Sequence, residues 1–500
     1  MKRLISVALV FVLAAAAWAQ DGFKDVEKQV VEFNLKNGLK FLVLPRHEAP
    51  VVSFHTYVSI GAVNEDRGIT GLAHIFEHLA FKGTTDIGTN EKTGGYAKEK
   101  PSLETLDKAW KAFYNESIKP KPDPGLFAKY KMEYDTALAR ASRLNDSEEF
   151  GRVIEQNGGV GLNATTGADA TQYFYSLPSN KIELWFSLES ARFYDPIIRD
   201  FYKEKDVVME ERRMRTESNP IGKLIEEVLA VAFKAHPYKD PVVGHMADLK
   251  GITRTEALSF YRKYYVPENM TIAIVGDVDV NEVKRLAEIY FGRIPAGQKT
   301  EQVRTVEPPQ IGERKVVLHE QSQPILLVGY KKGSALDADD AVYDVISDLL
   351  SSGRTSRLYK SLVRDKKIAV QAGGFSGFPG QRYPNLFLFL AVPAQGKSND
   401  TCLAAINDEI IKLKTELVSD EELKAIKTRQ RANLIRSLGS NNGLARQLTF
   451  YQGLMDDWRE MFKSLDKINA VKAEDMKRVA EKIFQPNNCT IGTIEPVKNN

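Results

Sequence analysis

Cysteine and histidine are scarce in this chain of 500 residues, which has two cysteines and seven histidines. Cys402 and Cys489 cannot build a disulfide framework or a thiolate zinc site, and the sequence leaves open whether they pair. An excess of charge is also lacking, since 69 basic and 66 acidic residues give a formal net charge of +3. We therefore expect no nucleic-acid partner, which would need a clustered basic surface. Glycine and proline, at 34 and 21 residues, are near average usage, which excludes collagen-like and low-complexity chains.

Long apolar runs are absent except at the N-terminus. There the sequence KR precedes an apolar run over residues 4–17, and the sequence AWA ends at Ala19. This order predicts a signal peptide over residues 1–19, with Gln20 as the first mature residue. The alternative, a single anchoring helix, would need roughly 20 apolar residues. No cysteine follows for a lipid anchor. We expect an exported protein without a stable membrane anchor, periplasmic if the host has two membranes.

An internal repeat divides the remaining chain. Residues 252–278 align without a gap on residues 471–497, at an offset of 219. Each segment reads as a helix, a Pro-Asn-containing turn and a strand. A weaker match aligns residues 44–66 with residues 318–340 at an offset of 274. The repeat predicts two homologous halves, joined by the polar stretch 295–312.

The two offsets differ by 55 residues, so the first half carries an insertion that the second half lacks. We assign it to residues 90–147, where apolar residues recur at helical spacing and a Pro-rich stretch over 119–125 interrupts the pattern. This pattern predicts a charged helical hairpin that lies over the first half rather than within its core. The residues at helical spacing are Leu103, Leu106, Trp110 and Phe113.

Strand and helix patterns mix elsewhere without strict alternation. Residues 33–44 and 51–60 are predicted to form an antiparallel pair of strands, and residues 386–392 a further strand. Helices are predicted over residues 182–192 and 203–216. The chain is therefore expected to be α+β, with two homologous halves that each contain an antiparallel sheet packed with helices.

Candidate chemistry concentrates on one predicted helix. His74, Glu77 and His78 occupy positions i, i+3 and i+4, which place all three side chains on one helical face. Histidines one turn apart can share a zinc ion, and a carboxylate beside them can take a proton from water. The alternative is a pair of histidines that only pack on the core or face solvent. Lone histidines are expected to be structural: His55, His236 and His319.

Several motifs together resemble one family of peptidases. The sequence HIFEHLAFKGT at residues 74–84 is the inverted zinc motif, and GGVGLNATTGADATQY follows at residues 158–173. The sequence EKDVVMEE at residues 204–211 resembles a Glu-x6-Glu helix, and GD at residue 276 and the loop 352–359 also fit. The chain resembles the pitrilysin/insulinase family of zinc peptidases, which includes the mitochondrial processing peptidases, over essentially its whole mature length.

The resemblance implies a glutamate as the third zinc ligand. The family's usual spacing from His78 leads to Glu155, but that residue precedes the glycine pair at 158–159, whereas the family's ligand follows it. Glu211 follows His78 at a spacing longer than the family's usual one by about the length of the insertion, so we assign the ligand to Glu211. Glu204 lies seven residues earlier, on the same helical face, and is expected to support the zinc and its water.

The resemblance further implies the mechanism. One zinc ion per chain is held by His74, His78 and Glu211, and Glu77 accepts the proton of the attacking water as a general base. Asn163 and Ala164 match the family's exposed edge strand, on which a substrate peptide can lie by β-augmentation. We therefore expect a zinc endopeptidase that acts on peptides or unfolded polypeptides.

One departure from the family pattern suggests a partner subunit. The family has an arginine followed by a tyrosine that contact substrate from the opposing part. Here Arg364 is present, but the stretch is one residue short and ends at Val370. Arg364 is an expected substrate contact, with a plain surface arginine as the alternative. We expect a homodimer, or a heterodimer with a related subunit that lacks the zinc motif.

These expectations define the domains and leave two alternatives. Residues 20–294 are predicted to be an N-terminal zinc peptidase domain, 295–312 a linker and 313–500 a homologous inactive domain. One alternative is a zinc-binding subunit of a larger complex without turnover, although such relatives usually lose part of the motif. The other is a chance motif in an unrelated binding protein, which stoichiometric zinc would exclude.

Overall fold

Two β-sheets covered by helices form the described part of the chain, residues 26–497 of a computed structural model. The α+β class and the two halves are thereby confirmed, whereas the predicted signal peptide lies outside the described residues. The first sheet has the order β1-β2-β6-β3-β5-β4 and the second has the order β7-β11-β8-β10-β9. The strands of the first sheet are β1 (Val31–Asn34), β2 (Lys40–Pro45), β3 (Val51–Val58), β4 (Val160–Thr166), β5 (Thr171–Pro178) and β6 (Met270–Gly276). Those of the second are β7 (Arg314–Glu320), β8 (Ile325–Lys332), β9 (Ala369–Phe378), β10 (Asn385–Pro393) and β11 (Cys489–Pro496).

The helices are distributed over both halves. In the first half they are α1 (Leu72–Leu79), α2 (Gly95–Ser117), α3 (Pro124–Ser142), α4 (Glu149–Gln156), α5 (Ile182–Tyr194), α6 (Phe201–Arg212), α7 (Pro220–Ala232), α8 (Met246–Gly251), α9 (Arg254–Tyr264) and α10 (Val280–Tyr290). In the second half they are α11 (Asp340–Ser351), α12 (Asn399–Thr415), α13 (Asp420–Ser437), α14 (Asn441–Met455), α15 (Glu460–Ala470) and α16 (Ala473–Ile483). Two segments are π-helical: Arg213–Glu217, which follows α6, and Tyr359–Asp365, which precedes β9. The predicted helices over 182–192 and 203–216 and the strand over 386–392 are present.

The first sheet corrects a predicted strand pairing. Residues 33–44, predicted as one strand, belong to the β1–β2 hairpin, and β3 pairs with β5 and β6 instead of β2. β6 lies between β2 and β3 and runs parallel to β2, and β11 likewise runs parallel to β7. Each sheet is therefore mixed rather than wholly antiparallel. Strands adjacent in sequence usually pair, which favoured a pair of β2 with β3. Every residue of β6 is buried, as expected of a central strand, and β6 lies between β2 and β3.

The internal repeat is visible in the bounds of the elements. α9 and β6 recur as α16 and β11, with starting residues 219 positions apart. β3 recurs as β8, with both ends 274 positions apart. β6 lies between β2 and β3 in the first sheet, and β11 lies between β7 and β8 in the second. The two segments of sequence similarity therefore occupy equivalent places in the two sheets.

The helical insertion is a hairpin of α2 and α3, as predicted. Its position differs from the prediction, because one face of α2 is buried in the core of the first half. Arg199 and Glu99, both with fully buried side chains, form an ion pair of 2.6 Å between the segment before α6 and the insertion. Arg199 also donates hydrogen bonds to the carbonyl oxygens of residues 82, 84 and 87. The core residues on α2 are Leu103, Leu106 and Trp110.

The two halves exchange helices, which the sequence did not predict. α14 of the second half packs on the first sheet, where Leu444 and Leu448 join the cluster that contains Leu42 and Val275. α14 approaches β3 so closely that a Cβ at Gly453 would lie 2.1 Å from the Tyr57 ring. In return, α7 packs on the second sheet. The halves are therefore interlocked, and each contributes a helix to the other's core.

Three further features bear on the sequence predictions. Cys402 and Cys489 are both buried and unpaired. Residues 295–312 contain neither helix nor strand. Within residues 26–497, no helix combines the length and the apolar character that crossing a membrane requires.

Candidate metal centre

Helix α1, which carries the histidine pair, is short and held at its N-terminal end by a carboxylate. Glu65 accepts hydrogen bonds from the backbone N–H groups of Gly71 (2.7 Å) and Ala73 (2.6 Å). These groups would otherwise lack partners within the helix. The opposite face of α1 is buried in the core of the first half through Leu72, Ile75, Phe76 and Leu79. The core thereby fixes the direction in which the histidines point.

Three predicted ligands converge at this helix. Glu211 Oε2, on α6, lies 3.6 Å from His74 Nε2 and 3.4 Å from His78 Nε2. The two imidazole rings lie 5.0 Å apart and are nearly perpendicular. One donor atom from each residue lies within 4.8 Å of the other two. Glu155, the alternative ligand, is exposed on α4 and does not join this cluster.

The donor atoms suit a zinc ion. Two ligands of a tetrahedral zinc, with bonds of 2.0–2.2 Å, lie about 3.3–3.5 Å apart. The separations of 3.4 and 3.6 Å from Glu211 Oε2 to the two histidines are close to this value. Two imidazoles and one carboxylate also match the ligand set of catalytic zinc sites, which keep a fourth position open.

The electrostatics of the two histidines differ. Burial lowers the pKa of His74 to about 4, against the opposing effect of Glu211, so this imidazole is neutral near pH 7. The hydrogen bond with Glu204 raises the pKa of His78, against the effect of burial, and the charge of Glu77 contributes in the same direction. Protonation therefore competes with metal binding more strongly at His78 than at His74.

Glu204 connects His78 to the half-buried cation Lys82. Its Oε2 lies 3.3 Å from His78 Nδ1, and its Oε1 lies 2.9 Å from Lys82 Nζ. Burial raises the pKa of Glu204, but the hydrogen bonds from His78 and Lys82 outweigh it and hold the pKa below its usual range. A proton on Nδ1 leaves Nε2 of His78 free as a metal ligand, as in the carboxylate–histidine–zinc arrangement. This geometry suits the supporting role predicted for Glu204.

The predicted substrate strand lies at an edge of the first sheet. β4 pairs with β5 on one side only, and Thr166 Oγ1 lies 3.5 Å from the carbonyl oxygen of Ala73 on α1. Asn163 is exposed, and its Oδ1 accepts a hydrogen bond of 2.8 Å from the N–H of Ala164. Ala164 therefore directs its N–H away from β5, at an edge that a further strand could join.

Arg364 lies apart from the cluster of predicted ligands. It belongs to the π-helical segment before β9, and its exposed guanidinium pairs with the neighbouring Asp365 at 2.6 Å. Among the described residues, no hydrogen bond or ion pair connects Arg364 to the candidate ligands. Val370, at the position of the missing tyrosine, is 60% exposed on the edge strand β9.

Two cations at this centre were not predicted. Lys82 binds Glu204, and Arg215 Nη2 lies 2.6 Å from Glu211 Oε1. Lys82 follows His78 by four residues and Arg215 follows Glu211 by four residues. The spacing of four residues brings side chains together along a helix and could have indicated Arg215, whereas Lys82 lies beyond the end of α1 and pairs with Glu204, a residue distant in sequence.

Known protein families match both halves of the chain, including the segment that carries the histidine pair. The family "Insulinase (Peptidase family M16)" matches residues 41–98, which include the histidine pair, and "Peptidase M16 inactive domain" matches residues 251–430. A solved structure, a protease from Helicobacter pylori, superposes with a TM-score of 0.77 at 26% identity, covering 93% of this chain and 99% of that one. The chain belongs to the insulinase/pitrilysin-like M16 peptidase family.

Individual M16 relatives extend over most of the chain. The zinc protease PqqE of Helicobacter pylori is 27% identical over 515 residues, which cover 99% of each chain. The probable mitochondrial-processing peptidase subunit beta of Arabidopsis thaliana is 23% identical over 484 residues, or 93% of this chain and 78% of that one. The similarity therefore includes both halves and the connection between them.

Proposed function

We propose that this M16 protein is a zinc-dependent endopeptidase that hydrolyses peptides or unfolded polypeptides. The observation that carries the proposal is the convergence of His74, His78 and Glu211 beside Glu77. The name of the Helicobacter pylori relative, a zinc protease, supports the same activity. We assign it to a domain over residues 20–294, followed by a linker over 295–312 and an inactive domain over 313–500.

The three converging residues would hold one zinc ion per chain. When bound, zinc acts as a Lewis acid that polarises a peptide carbonyl and makes water more acidic. Glu77, one residue before His78 on α1, accepts the proton of the attacking water and delivers it to the leaving amine. Glu204, through its 3.3 Å contact with Nδ1 of His78, would leave the Nε2 of that ring free to hold the ion.

The substrate would bind to the β4 edge. An extended peptide beside β4 can pair with the backbone around Asn163 and Ala164, after Asn163 Oδ1 releases the N–H of Ala164. Such pairing reads the backbone of the substrate, which suits a peptidase with many substrates. Arg364 is proposed as a further substrate contact, supplied from the second half or from a second chain.

The setting of the protein follows from the N-terminus and from one relative. The signal-like residues 1–19 support export, to the periplasm if the host has two membranes. The Arabidopsis relative is named a peptidase subunit, which supports a dimer here, with a second copy or with a related subunit lacking the zinc motif. A zinc-binding subunit without turnover is the competing function, and the complete ligand set together with Glu77 favours the peptidase.

The test combines metal content with turnover. The mature protein should bind one zinc per chain and degrade a peptide library, and a chelator should stop the degradation. Glu77→Gln should keep the zinc and lose at least about 100-fold in kcat, the lower range for a general base. Glu210→Gln, an exposed glutamate of α6 paired with Arg213, is the matched control and should retain activity. Zinc binding without turnover, with and without candidate partners, would favour the non-catalytic function instead.

A further inference from the structure

Glu204 and Glu211, the two carboxylates of α6 at the candidate metal centre, have the same pattern of contacts. Glu204 contacts His78 through Oε2 and Lys82 through Oε1. Glu211 contacts both candidate ligand histidines through Oε2 and Arg215 through Oε1. Each carboxylate therefore presents one oxygen to an imidazole and the other to a cation. For Glu211 this division decides which oxygen can reach a metal.

We infer that Arg215 is a positioning residue that keeps Glu211 a ligand through Oε2 alone. The inference rests on the proposed zinc site. The 2.6 Å contact between Arg215 Nη2 and Glu211 Oε1 is a charge-assisted hydrogen bond. This bond occupies one lone pair of Oε1 and holds a cation beside it, so a zinc ion, itself a cation, is disfavoured at Oε1 relative to Oε2. A single-oxygen ligand leaves the fourth position of a tetrahedral zinc free for water or substrate.

The backbone beneath Arg215 is held in an uncommon conformation. α6 changes into a π-helical segment at Arg213–Glu217, which contains Arg215. π-Helical turns within helices are often found at functional sites. The next helix, α7, approaches this segment so closely that a Cβ at Gly222 would lie 1.9 Å from the carbonyl oxygen of Arg215. The start of the Arg215 side chain is therefore fixed by packing, although its end reaches solvent.

The ion pair contributes little to folding. The Arg215 side chain is 73% exposed, whereas that of Glu211 is 13% exposed. Because the arginine end of the pair is solvated, solvent screens the attraction and the pair stabilises the folded chain only weakly. The effect of Arg215 should therefore appear in the behaviour of Glu211 toward zinc rather than in stability. Arg213, two residues away, forms a similar 2.7 Å pair with Glu210 that contacts no candidate ligand, and provides a matched control.

Zinc affinity of the full mature protein tests this role. Competition with a chelator measures the zinc dissociation constant of wild type, Arg215→Met, Arg215→Lys and Arg213→Met, and thermal unfolding of the metal-free proteins measures stability. Arg215→Met should weaken zinc binding about tenfold, as expected for loss of a partner of a ligand. Arg215→Lys should recover most of the affinity, Arg213→Met should match wild type, and all four metal-free proteins should unfold at similar temperatures.

Two outcomes separate this inference from the proposed function. If wild type binds stoichiometric zinc and Arg215→Met binds it within twofold of Arg213→Met, the role of Arg215 is wrong and the zinc site stands. If wild type binds no zinc, the proposed function is wrong, and the inference that rests on it is overturned as well.

Discussion

Glu204 Oε2 lies 3.3 Å from His78 Nδ1, so the nitrogen of His78 that faces away from the candidate metal centre is engaged by a carboxylate. The other oxygen of Glu204 is engaged by Lys82. This carboxylate balances the charge of Lys82 and fixes the orientation of the His78 ring. The charge of Glu204 should therefore influence metal binding, although Glu204 is not itself a predicted ligand.

Glu204→Gln should weaken zinc binding by about 10-fold or more, in the range found for partners of metal-ligating histidines. The amide oxygen can still accept a hydrogen bond from His78 Nδ1–H, but the NH2 group would then face Lys82 Nζ, which is also a donor. Chelator competition measures the affinity. Glu155→Gln, at an exposed glutamate of α4, is the control. Equal zinc affinities in the two variants would show that Glu204 does not support His78.

The edge of β4 gives a prediction about substrate binding. The N–H of Ala164 is donated to Asn163 Oδ1 rather than to β5, so Ala164→Pro removes no hydrogen bond between the strands. Proline is tolerated on edge strands. If substrates pair with this edge, loss of the N–H removes about one hydrogen bond to the substrate. The free energy of one such bond corresponds to a rise in KM of about five- to tenfold. kcat and zinc content should change little.

Steady-state kinetics on one cleaved peptide checks this prediction, with thermal unfolding to verify that Ala164→Pro folds. An unchanged KM in a folded variant would place substrate binding elsewhere. A fall in kcat alone would indicate that the substitution disturbs α1 through Thr166, whose hydroxyl lies 3.5 Å from the carbonyl oxygen of Ala73.

The ion pair between Arg199 and Glu99 gives a prediction about stability. Both side chains are fully buried, so Glu99→Ala leaves an uncompensated guanidinium in the core. Removing one partner of a buried pair costs about 3–5 kcal/mol in the free energy of unfolding. Urea denaturation should show this loss. Asp135→Ala, which breaks the exposed pair with Lys131 on α3, should cost less than about 1 kcal/mol. Equal losses would mean that the insertion does not depend on its buried pair.

Local patterns and internal repeats predicted much of the fold. The bounds of α9, β6 and their counterparts follow the repeat because each unit is a contiguous helix, turn and strand. The pairing of β2 with β3 was wrong because β6, distant in sequence, lies between them. The exchange of α7 and α14 was missed because amphipathic periodicity marks an apolar face without identifying the sheet that covers it.

The candidate ligands were predicted more completely than their surroundings. Helical spacing brought His74 and His78 together, and the length of the insertion selected Glu211 over Glu155. The first signal depends on sequence separation alone, and the second also depends on the ligand spacing and motif order implied by the resemblance to the family. Which oxygen of Glu211 contacts Arg215, and which group receives the N–H of Ala164, depends on side-chain directions. Such directions follow from packing between elements that are far apart in the sequence, so they required the structure.

The contact between the two halves contains a buried histidine that predicts sensitivity to acid. His55, on β3, has no exposed surface, and its Nδ1 lies 2.8 Å from Thr449 Oγ1 on α14. Its ring stacks on Phe174 of β5. Burial lowers the pKa of His55 from 6.5 to about 3, with a contribution in the same direction from Arg446. The folded protein therefore keeps His55 neutral where an unfolded chain would protonate it.

The sign of the pH dependence follows from this difference. Between pH 6.5 and about pH 3 the unfolded state binds a proton that the folded state does not, so stability falls as the pH falls through this range. His55→Gln removes the titration. Between pH 7 and about pH 4.5, wild type should lose on the order of 2 kcal/mol more than His55→Gln in urea denaturation. His319→Gln, at an exposed position on β7, should behave as wild type. If His55→Gln lost as much stability as wild type, acid would act elsewhere than on the contact between β3 and α14.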